Sequence, residues 1–546
     1  MKNKKAVAML LAASMVMGSM AGCGGKGKEE GGGGFAEKGG GEYQTTYGQK
    51  KFDDVTITVE LFDRSNAPEG NTLTDNKWVE YVNEHMNKVG INVEFVAVPR
   101  SDEVPKMQTM VSSQTAPDIT ITYTYSYAED YFNQGGTWDL SEFIDGENQA
   151  KNMKKYIGED VLDIGRNADG NLYGIVARRA TTAKSNMFIR KDWLDELGLA
   201  VPTTPDELFD VATEFVKNNP DGRKDIIGIS PWALNDATNT TAFRNTLSLA
   251  FSKLAGDEKE ISIAHGFDYY YDPGARDYFR FLNKCYNAGL MDEEYYTMTT
   301  DTYNSDIVTG AMGFFETNVN YSVDVLRGNL LKTLQENDSS ADVISLPALK
   351  NVNDGEQYAC TYGPGGLIAF CPKTADAEKV EACMTYLDWM CTEEGGHVLY
   401  HGFEGEHYEL KDNVPVVKDA EYNAKDKDWL RTDIFLVGNQ GYFETVDDFN
   451  ACTAAENIGY EQYVIDNYEN SMVGKQIQDP FYTSPSTPDL QADLGLVTKE
   501  WIVKCVSCPE ADFDKNYDEF MEKCEDTGIK TIIEERTEYF NKMYGE

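Results

Sequence analysis

The sequence predicts an α/β protein built as at least two lobes, and three observations carry that prediction. Apolar patterning runs as strand, helix, strand, helix, strand between residues 55 and 124. Strands joined through helices lie parallel, with right-handed crossovers. About 500 residues follow the Gly-rich start of the chain, more than one core organises.

The elements follow in order. Residues 55–61, Val-Thr-Ile-Thr-Val-Glu-Leu, are a β-branched alternation and read as the first strand. Thr74 or Asp75 is placed to cap a helix running to Val89. Trp78, Val82, Met86 and Val89 line its apolar face and Gly90 stops it. Residues 91–98 form a second strand, 104–113 a helix and 118–124 a third strand. Thr204-Pro205-Asp206-Glu207 starts another helix, with a Thr cap, Pro at its first position and Glu placed for a capping box. Leu208, Val211, Ala212 and Phe215 give it an apolar stripe. Tyr278, Leu282, Cys285 and Tyr286 mark a further helix, stopped by Gly289. Residues 366–370 return as a strand, and 529–543 form an amphipathic helix with Ile529, Ile532, Ile533, Phe540 and Met543 on one face. No internal repeat is present.

The N-terminal segment sets the address. Lys2, Lys4 and Lys5 precede a short apolar core over 6–17, too brief to span a bilayer. Ala21-Gly22-Cys23 then places small residues before a cysteine. This pattern resembles a bacterial lipoprotein signal, which implies a signal peptide over 1–22 and a lipidated Cys23; the other reading is an ordinary secreted chain. Residues 24–41 are mostly Gly, Lys and Glu, without apolar periodicity. Such a segment cannot bury enough surface to offset its chain entropy. As a Gly-rich coil, residues 23–50 have a reach on the order of 30 Å, enough to hold a globular body clear of a membrane. The expected location is the extracellular face of the cytoplasmic membrane.

The formal net charge is -43. Such a surface repels phosphate backbones, so nucleic acid is excluded as a partner. It also argues against a polyanionic ligand, unless a local basic cleft overrides the average. Of ten cysteines, Cys23 is assigned to lipid, which leaves an odd number. A chain of this length needs no disulfide staples. Cys383 and Cys391 share an apolar helix face with Val380, Met384, Leu387 and Met390 and read as buried thiols. Cys505-Val506-Ser507-Cys508 has redox or metal spacing, but no second such pair or His cluster accompanies it. A local disulfide there stays open.

Further blocks carry a resemblance. They are Lys106-Met107-Gln108-Thr109-Met110 with Ser112-Ser113-Gln114-Thr115-Ala116-Pro117-Asp118-Ile119; Trp138-Asp139-Leu140-Ser141-Glu142-Phe143-Ile144; and Asp169-Gly170-Asn171-Leu172-Tyr173-Gly174-Ile175. Ile189-Arg190-Lys191-Asp192-Trp193-Leu194, with Leu197-Gly198-Leu199 and Pro202-Thr203-Thr204, is the clearest. Asp388-Trp389 and the run from His401 to Tyr408 follow late in the chain. In order and spacing, the chain resembles the extracellular solute-binding proteins, family 1, of bacterial ABC importers, and most of all the large carbohydrate-binding lipoproteins of Gram-positive bacteria. The resemblance implies a periplasmic-binding-protein-like type II fold: two α/β lobes, a hinge and an interlobe ligand cleft. It implies lobe 1 over 51–177 and 350–410, and lobe 2 over 178–349 and 411–546. The implied partners are an oligosaccharide and the membrane permease; no cofactor is implied, and a monomer is expected. Some relatives carry a calcium loop after the Thr-Pro helix. Here Asn219, Asp221 and Asp225 are the weak equivalents, and Arg223 stands where an oxygen ligand is expected.

A sugar presents apolar C–H faces and a rim of hydroxyls, so its site calls for aromatic platforms and planar hydrogen-bonding groups. The chain holds 32 Tyr, 25 Phe and 7 Trp. Ligands of parallel α/β sheets meet the loops beyond strand carboxyl ends. That rule selects Asp63 and Arg64 after the first strand and Tyr125 and Tyr127 after the third; Arg178 and Arg179 follow the hinge that the resemblance implies. The pair Tyr125 and Tyr127 reads equally as a half-exposed strand edge. In the second lobe the rule selects Trp232, Asn235 and Asp236; the resemblance implies that the strand bearing Phe315, Glu316 and Asn318 presents cleft residues, and that Tyr362, before Gly363-Pro364-Gly365-Gly366, sits at the return crossing. Arg190 and Trp193 read as packing residues, and Glu404 and His407 as structural. Two other functions remain open: a secreted glycoside hydrolase, which needs a carboxylate pair, or a receptor for a peptide or other small solute. No nucleophile elbow, zinc signature or phosphate loop is present, so an enzyme is not expected.

Overall fold

The computed structural model describes residues 52–545, apart from 148, 168, 233, 235–241, 319–329, 440 and 479. Cys23, Asn235 and Asp236 therefore lie outside the described residues. The described residues all fall in one compact unit.

Strand β1 (Val55–Asp63) pairs in parallel with β2 (Ile91–Pro99). The helix Lys77–Met86 joins them, buries Trp78, Val82 and Met86, and runs on through a short 3-10 turn to Gly90 at φ 82°. Its cap is Asn76, whose side chain accepts from the Trp78 and Val79 amides, so neither Thr74 nor Asp75 holds that place. The helix Glu103–Ser112 leads to β3 (Thr120–Thr122), and Ile119 just before it bridges in parallel to Val59 of β1. The parallel crossovers expected from the sequence are thus present. Beyond β3 the chain does not stay extended. Tyr125–Asn133 is a helix, and the tyrosines spaced two apart lie on it rather than on a strand edge.

The sheet continues through β9 (Gly365–Phe370), which runs antiparallel to both β3 and β4 (Ile175–Arg179). Strand β12 (Gly438–Asn439) adds in parallel to β4. The second segment of the expected lobe 2 began at residue 411; within it, residues 438–439 pair with β4 of the first sheet. A strand of two residues carries no periodicity to read.

A second sheet has the order β6-β5-β7, from Phe314–Asn318, Ser185–Arg190 and Val343–Leu346. Residues 227 and 230 bridge in parallel to its β6 edge. Side chains alternate across it. Met187, Ile189 and Phe314 enter one core with Trp193, Leu208, Phe215 and the C-terminal helices Thr487–Ser507, Phe513–Thr527 and Ile529–Met543. Phe188 and Phe315 enter another with Tyr303, Phe449 and Tyr468. Both faces are covered, as for a sheet flanked by helices.

Residues 180–184 link β4 of the first sheet to β5 of the second. A second link, β8 (Tyr358–Thr361), runs antiparallel beside it through the Ala183–Thr361 bridge and is paired on its other side by β13 (Lys475–Gln478). The strand directions make β1, β2, β3, β4 and β12 end at one edge, where β9 begins. In the second sheet β6 ends where β5 begins, with Asn318 opposite Ser185. The carboxyl edges of both sheets therefore converge on the 180–184 link.

Candidate functional site

At that convergence Tyr362 forms a platform. Its amide donates to Thr182 O at 2.9 Å, which fixes the second link against the first. The Arg179 guanidinium lies 3.4 Å from the ring centroid, and the Lys184 ammonium 5.7 Å from it. Asn318, at the end of β6, donates to the Tyr362 hydroxyl at 3.2 Å. One aromatic ring is thus touched by a cation from the first sheet and an amide from the second.

The first-sheet wall is ordered from beneath. Glu103 accepts from the Thr122 hydroxyl at 2.7 Å and the Tyr123 amide at 2.8 Å, and also pairs with Arg100. Arg100 covers both Tyr123, at 4.8 Å, and Phe62, at 4.9 Å. The Tyr123 hydroxyl donates to Asn439 at 3.0 Å. Burial raises the Tyr123 phenol pKa, and the charges of Arg179, Arg100 and Arg64 oppose that rise. Arg64 forms a two-pronged pair with buried Asp433, at 2.7 and 2.9 Å. Four cations, Arg64, Arg100, Arg179 and Lys184, gather at this edge of a strongly acidic protein, with Glu103 and Asp433 as paired carboxylates.

Tyr125 completes the wall. Its hydroxyl donates to Gly366 O at 2.6 Å, and its ring stacks on Phe481 at 5.6 Å and 7°. Gly365 and Gly366 permit this approach. A Cβ on Gly365 would stand 3.0 Å from the Tyr125 hydroxyl, and one on Gly366 2.4 Å from Asn439.

The structure distributes the sequence candidates unevenly. Arg64, Tyr125, Arg179, Asn318 and Tyr362 come together. Asp63 is half-buried at the end of β1, where its carboxylate accepts from the Ser65 amide at 2.8 Å and shapes the loop. Tyr127 is half-buried on the Tyr125–Asn133 helix. Trp232 is half-buried and borders a cavity of about 200 Å³ with Met291, Met298, Thr299 and Lys499.

Three candidates serve the fold instead. Arg178 donates to the carbonyls of Tyr156, Phe443 and Glu444, tying chain segments together. Phe315 stacks on Phe188 inside the core at 5.6 Å, because strand alternation turns it away from the cleft edge. Glu316 is buried and accepts from the Thr246 hydroxyl and the Leu247 amide. Burial raises its pKa, against those hydrogen bonds.

The calcium candidates are occupied by the protein's own donors. Arg223 pairs with Asp225 through two contacts of 3.0 Å. Asp221 accepts from Trp193 Nε1 at 2.8 Å and Arg190 at 3.2 Å, and Asn219 bonds Arg223 backbone atoms. Arg190 and Trp193 pack as expected. His407 is buried between the Phe403 amide and Asp426, with Lys77 bridging Asp426 and Glu406, so the Glu406–His407–Asp426 cluster already holds a cation. The nine described cysteines are free thiols, Cys505 and Cys508 among them. Sequence reasoning missed Arg100, Lys184, Asn439 and Phe481. Arg100 follows β2 and was accessible to the strand-end rule; Asn439 and Phe481 come from chain-remote segments with no local signal.

The model of the bacterial extracellular solute-binding protein family matches residues 80–400. The chain belongs to this family. A polygalacturonan/rhamnogalacturonan-binding protein of Bacillus subtilis is 26% identical over 424 residues, 75% of this chain and 77% of that one. A lipoprotein, LipO, of the same organism is 25% identical over 299 residues, 51% of this chain and 54% of that one. Among solved structures, an extracellular solute-binding protein of Bifidobacterium longum subsp. infantis superposes with a TM-score of 0.63 at 18% identity, over 91% of this chain and 99% of that one. The fold of this solute-binding protein is the type II periplasmic-binding-protein-like one, two α/β lobes about a cleft. The family and the first of these relatives are binding proteins. No helix among the described residues is long and apolar enough to cross a membrane.

Proposed function

We propose that this solute-binding protein captures an oligosaccharide in the cleft where the two sheets' carboxyl edges meet, and hands it unaltered to the membrane permease of an ABC importer. The observation that carries this reading is the Tyr362 platform, contacted by Arg179 from one sheet and Asn318 from the other. A tyrosine ring with a planar cation stacked on one face and an amide at its hydroxyl groups the aromatic and hydrogen-bonding chemistry that the C–H face and hydroxyls of a pyranose call for. Each wall brings its own groups, so lobe closure about the 180–184 and 358–364 links brings them together around a ligand. Lipidation of Cys23 would tether the chain outside the cell, in keeping with its lipoprotein relative.

Of the four cations at this edge, Arg64 and Arg100 are paired with Asp433 and Glu103, while Arg179 and Lys184 lie on Tyr362 and would face a ligand carboxylate; the Bacillus subtilis relative is named for acidic glycans. Galacturonate oligomers therefore stand beside neutral ones in the test. Calorimetry against both series measures affinity, and chromatography of the ligand afterwards shows whether it is intact. Binding with full recovery, weakened by Arg179→Gln, supports the reading. Shortened saccharides, or affinity for peptides and none for glycans, would sink it.

A further inference from the structure

The Tyr125–Asn133 helix carries a second set of groups beside the cleft. Tyr125 and Glu129 lie four residues apart and so share one face, about one turn or 5.4 Å along the axis. Tyr125 meets Phe481. Burial raises the phenol pKa values of Tyr173 and Tyr539, and the Glu129 charge adds to each. Burial, followed by the neighbouring Asp130 charge, also raises the pKa of Glu129 itself.

The facing wall is rigid. Tyr482 stacks on Tyr539 at 3.8 Å and 9°. Arg536 donates to Tyr482 O at 3.0 Å, and Glu535 accepts from the Ser486 amide at 3.0 Å and its hydroxyl at 2.6 Å. The segment 482–486 is thereby clamped to the helix Ile529–Met543. Yet two rings beside this clamp stay partly in solvent: Phe481, just before the segment, is 45% and Tyr539, on the helix, 43% exposed. The Phe481 ring edge lies against Gly365, a Cβ there standing 3.3 Å from it, and Arg179 N donates to Pro364 O at 2.8 Å beside it. This wall therefore continues directly from the Tyr362 platform.

We infer that Tyr539, Phe481 and Glu129 form a distal saccharide subsite, which takes the next sugar rings of a chain whose first rings occupy the cleft. Exposed aromatic faces beside a clamped segment stack on pyranose C–H surfaces with little ordering cost. A half-buried carboxylate beside them accepts from two vicinal hydroxyls. The one-turn spacing from Tyr125 to Glu129 is comparable to the advance of a glycan chain per ring. The inference rests on the oligosaccharide reading above.

The test is calorimetry of wild type, Tyr539→Ala and Glu129→Ala with galacturonate and neutral β-1,4-galactose oligomers of two to six sugars. Tyr539 and Glu129 are not in the fold's core, and unchanged melting of each variant verifies folding. In whichever series the wild type binds, each variant keeps the dimer Kd within about twofold. Each weakens the hexamer by about fivefold or more, the effect of losing one stacked ring elsewhere. Equal loss at every length overturns the subsite and marks these residues as a closure contact between lobes. No loss at any length overturns it as well. A wild type that binds neither series defeats the oligosaccharide reading and the subsite together, whereas glycan binding without length dependence defeats the subsite alone.

Discussion

Replacing Glu60 with glutamine probes the electrostatics beneath the cleft. Glu60 sits in the middle of β1 and is fully buried. One carboxylate oxygen accepts from the Ile121 amide at 3.3 Å, and the other has no hydrogen-bond partner among the described residues. Burial, with the Glu103 charge adding to it, pushes the pKa from 4.5 up to about 8. Between those two values the folded chain keeps a proton that the unfolded chain has released. Stability therefore falls as pH rises through this window, by about 1.4 kcal/mol per pH unit. Above about pH 8 the accumulated loss is on the order of 4–5 kcal/mol. An unfolding entropy near 1 kcal/mol/K for a body of ~490 residues converts this to about 4–5 °C. Thermal melts from pH 4 to 9 should show Glu60→Gln matching wild type at the acid end and melting about 4–5 °C higher at pH 9. A variant with the same pH slope as wild type would refute the argument and show Glu60 ionising in a solvated or compensated setting.

Further outcomes follow from the same geometry. Gly365→Ala places a Cβ 2.9 Å from Val176 Cγ1 and 3.0 Å from the Tyr125 hydroxyl; calorimetry should show weaker glycan binding, with little change in melting temperature. Trp232→Ala should weaken glycan binding by about 1–3 kcal/mol if Trp232 stacks on a sugar, and an unchanged Kd removes it from the site. Because Arg190 and Arg223 fill the places a cation would take at Asp221 and Asp225, chelation by EDTA should leave the melting temperature unmoved. Of the nine described thiols, seven are buried and only Cys452 and Cys508 are partly exposed. A thiol reagent should therefore reach Cys452 and Cys508 first and the rest only on denaturation, and reductant should not shift the melt.

Periodicity made much of the fold legible. The 529–543 helix, the Thr204 cap and the first parallel pair were readable because each is a local statement about which face meets the core. Failures occurred where a neighbour distant in sequence decides the outcome. Tyr123, Tyr125 and Tyr127 alternate as a strand would, yet the chain turns helical at Tyr125, where the Tyr125 hydroxyl anchors on Gly366 from β9. Asn76 displaced the expected cap because its amide also bonds Thr72 O.

The strand-end rule picks out segments, and choosing residues within them takes a finer criterion. In β6, Phe315, Glu316 and Asn318 all lie near a carboxyl end, but only the last residue of the strand escapes the flanking layers. Phe315 belongs to the core by alternation. Glu316 is held inward by Thr246 and Leu247, two groups that no local pattern links to it. The same logic separates Arg178 from Arg179. Adjacent residues on a strand point to opposite faces, so when Arg178 is drawn to the backbone carbonyls of Tyr156, Phe443 and Glu444, Arg179 is turned the other way, onto Tyr362. Had the polarity of that alternation been reversed, the guanidinium over the platform would belong to Arg178. The Arg179→Gln and Arg178→Gln pair therefore discriminates. The first should weaken ligand binding at constant stability, and the second should lower the melting temperature by stranding the carbonyls of Tyr156, Phe443 and Glu444.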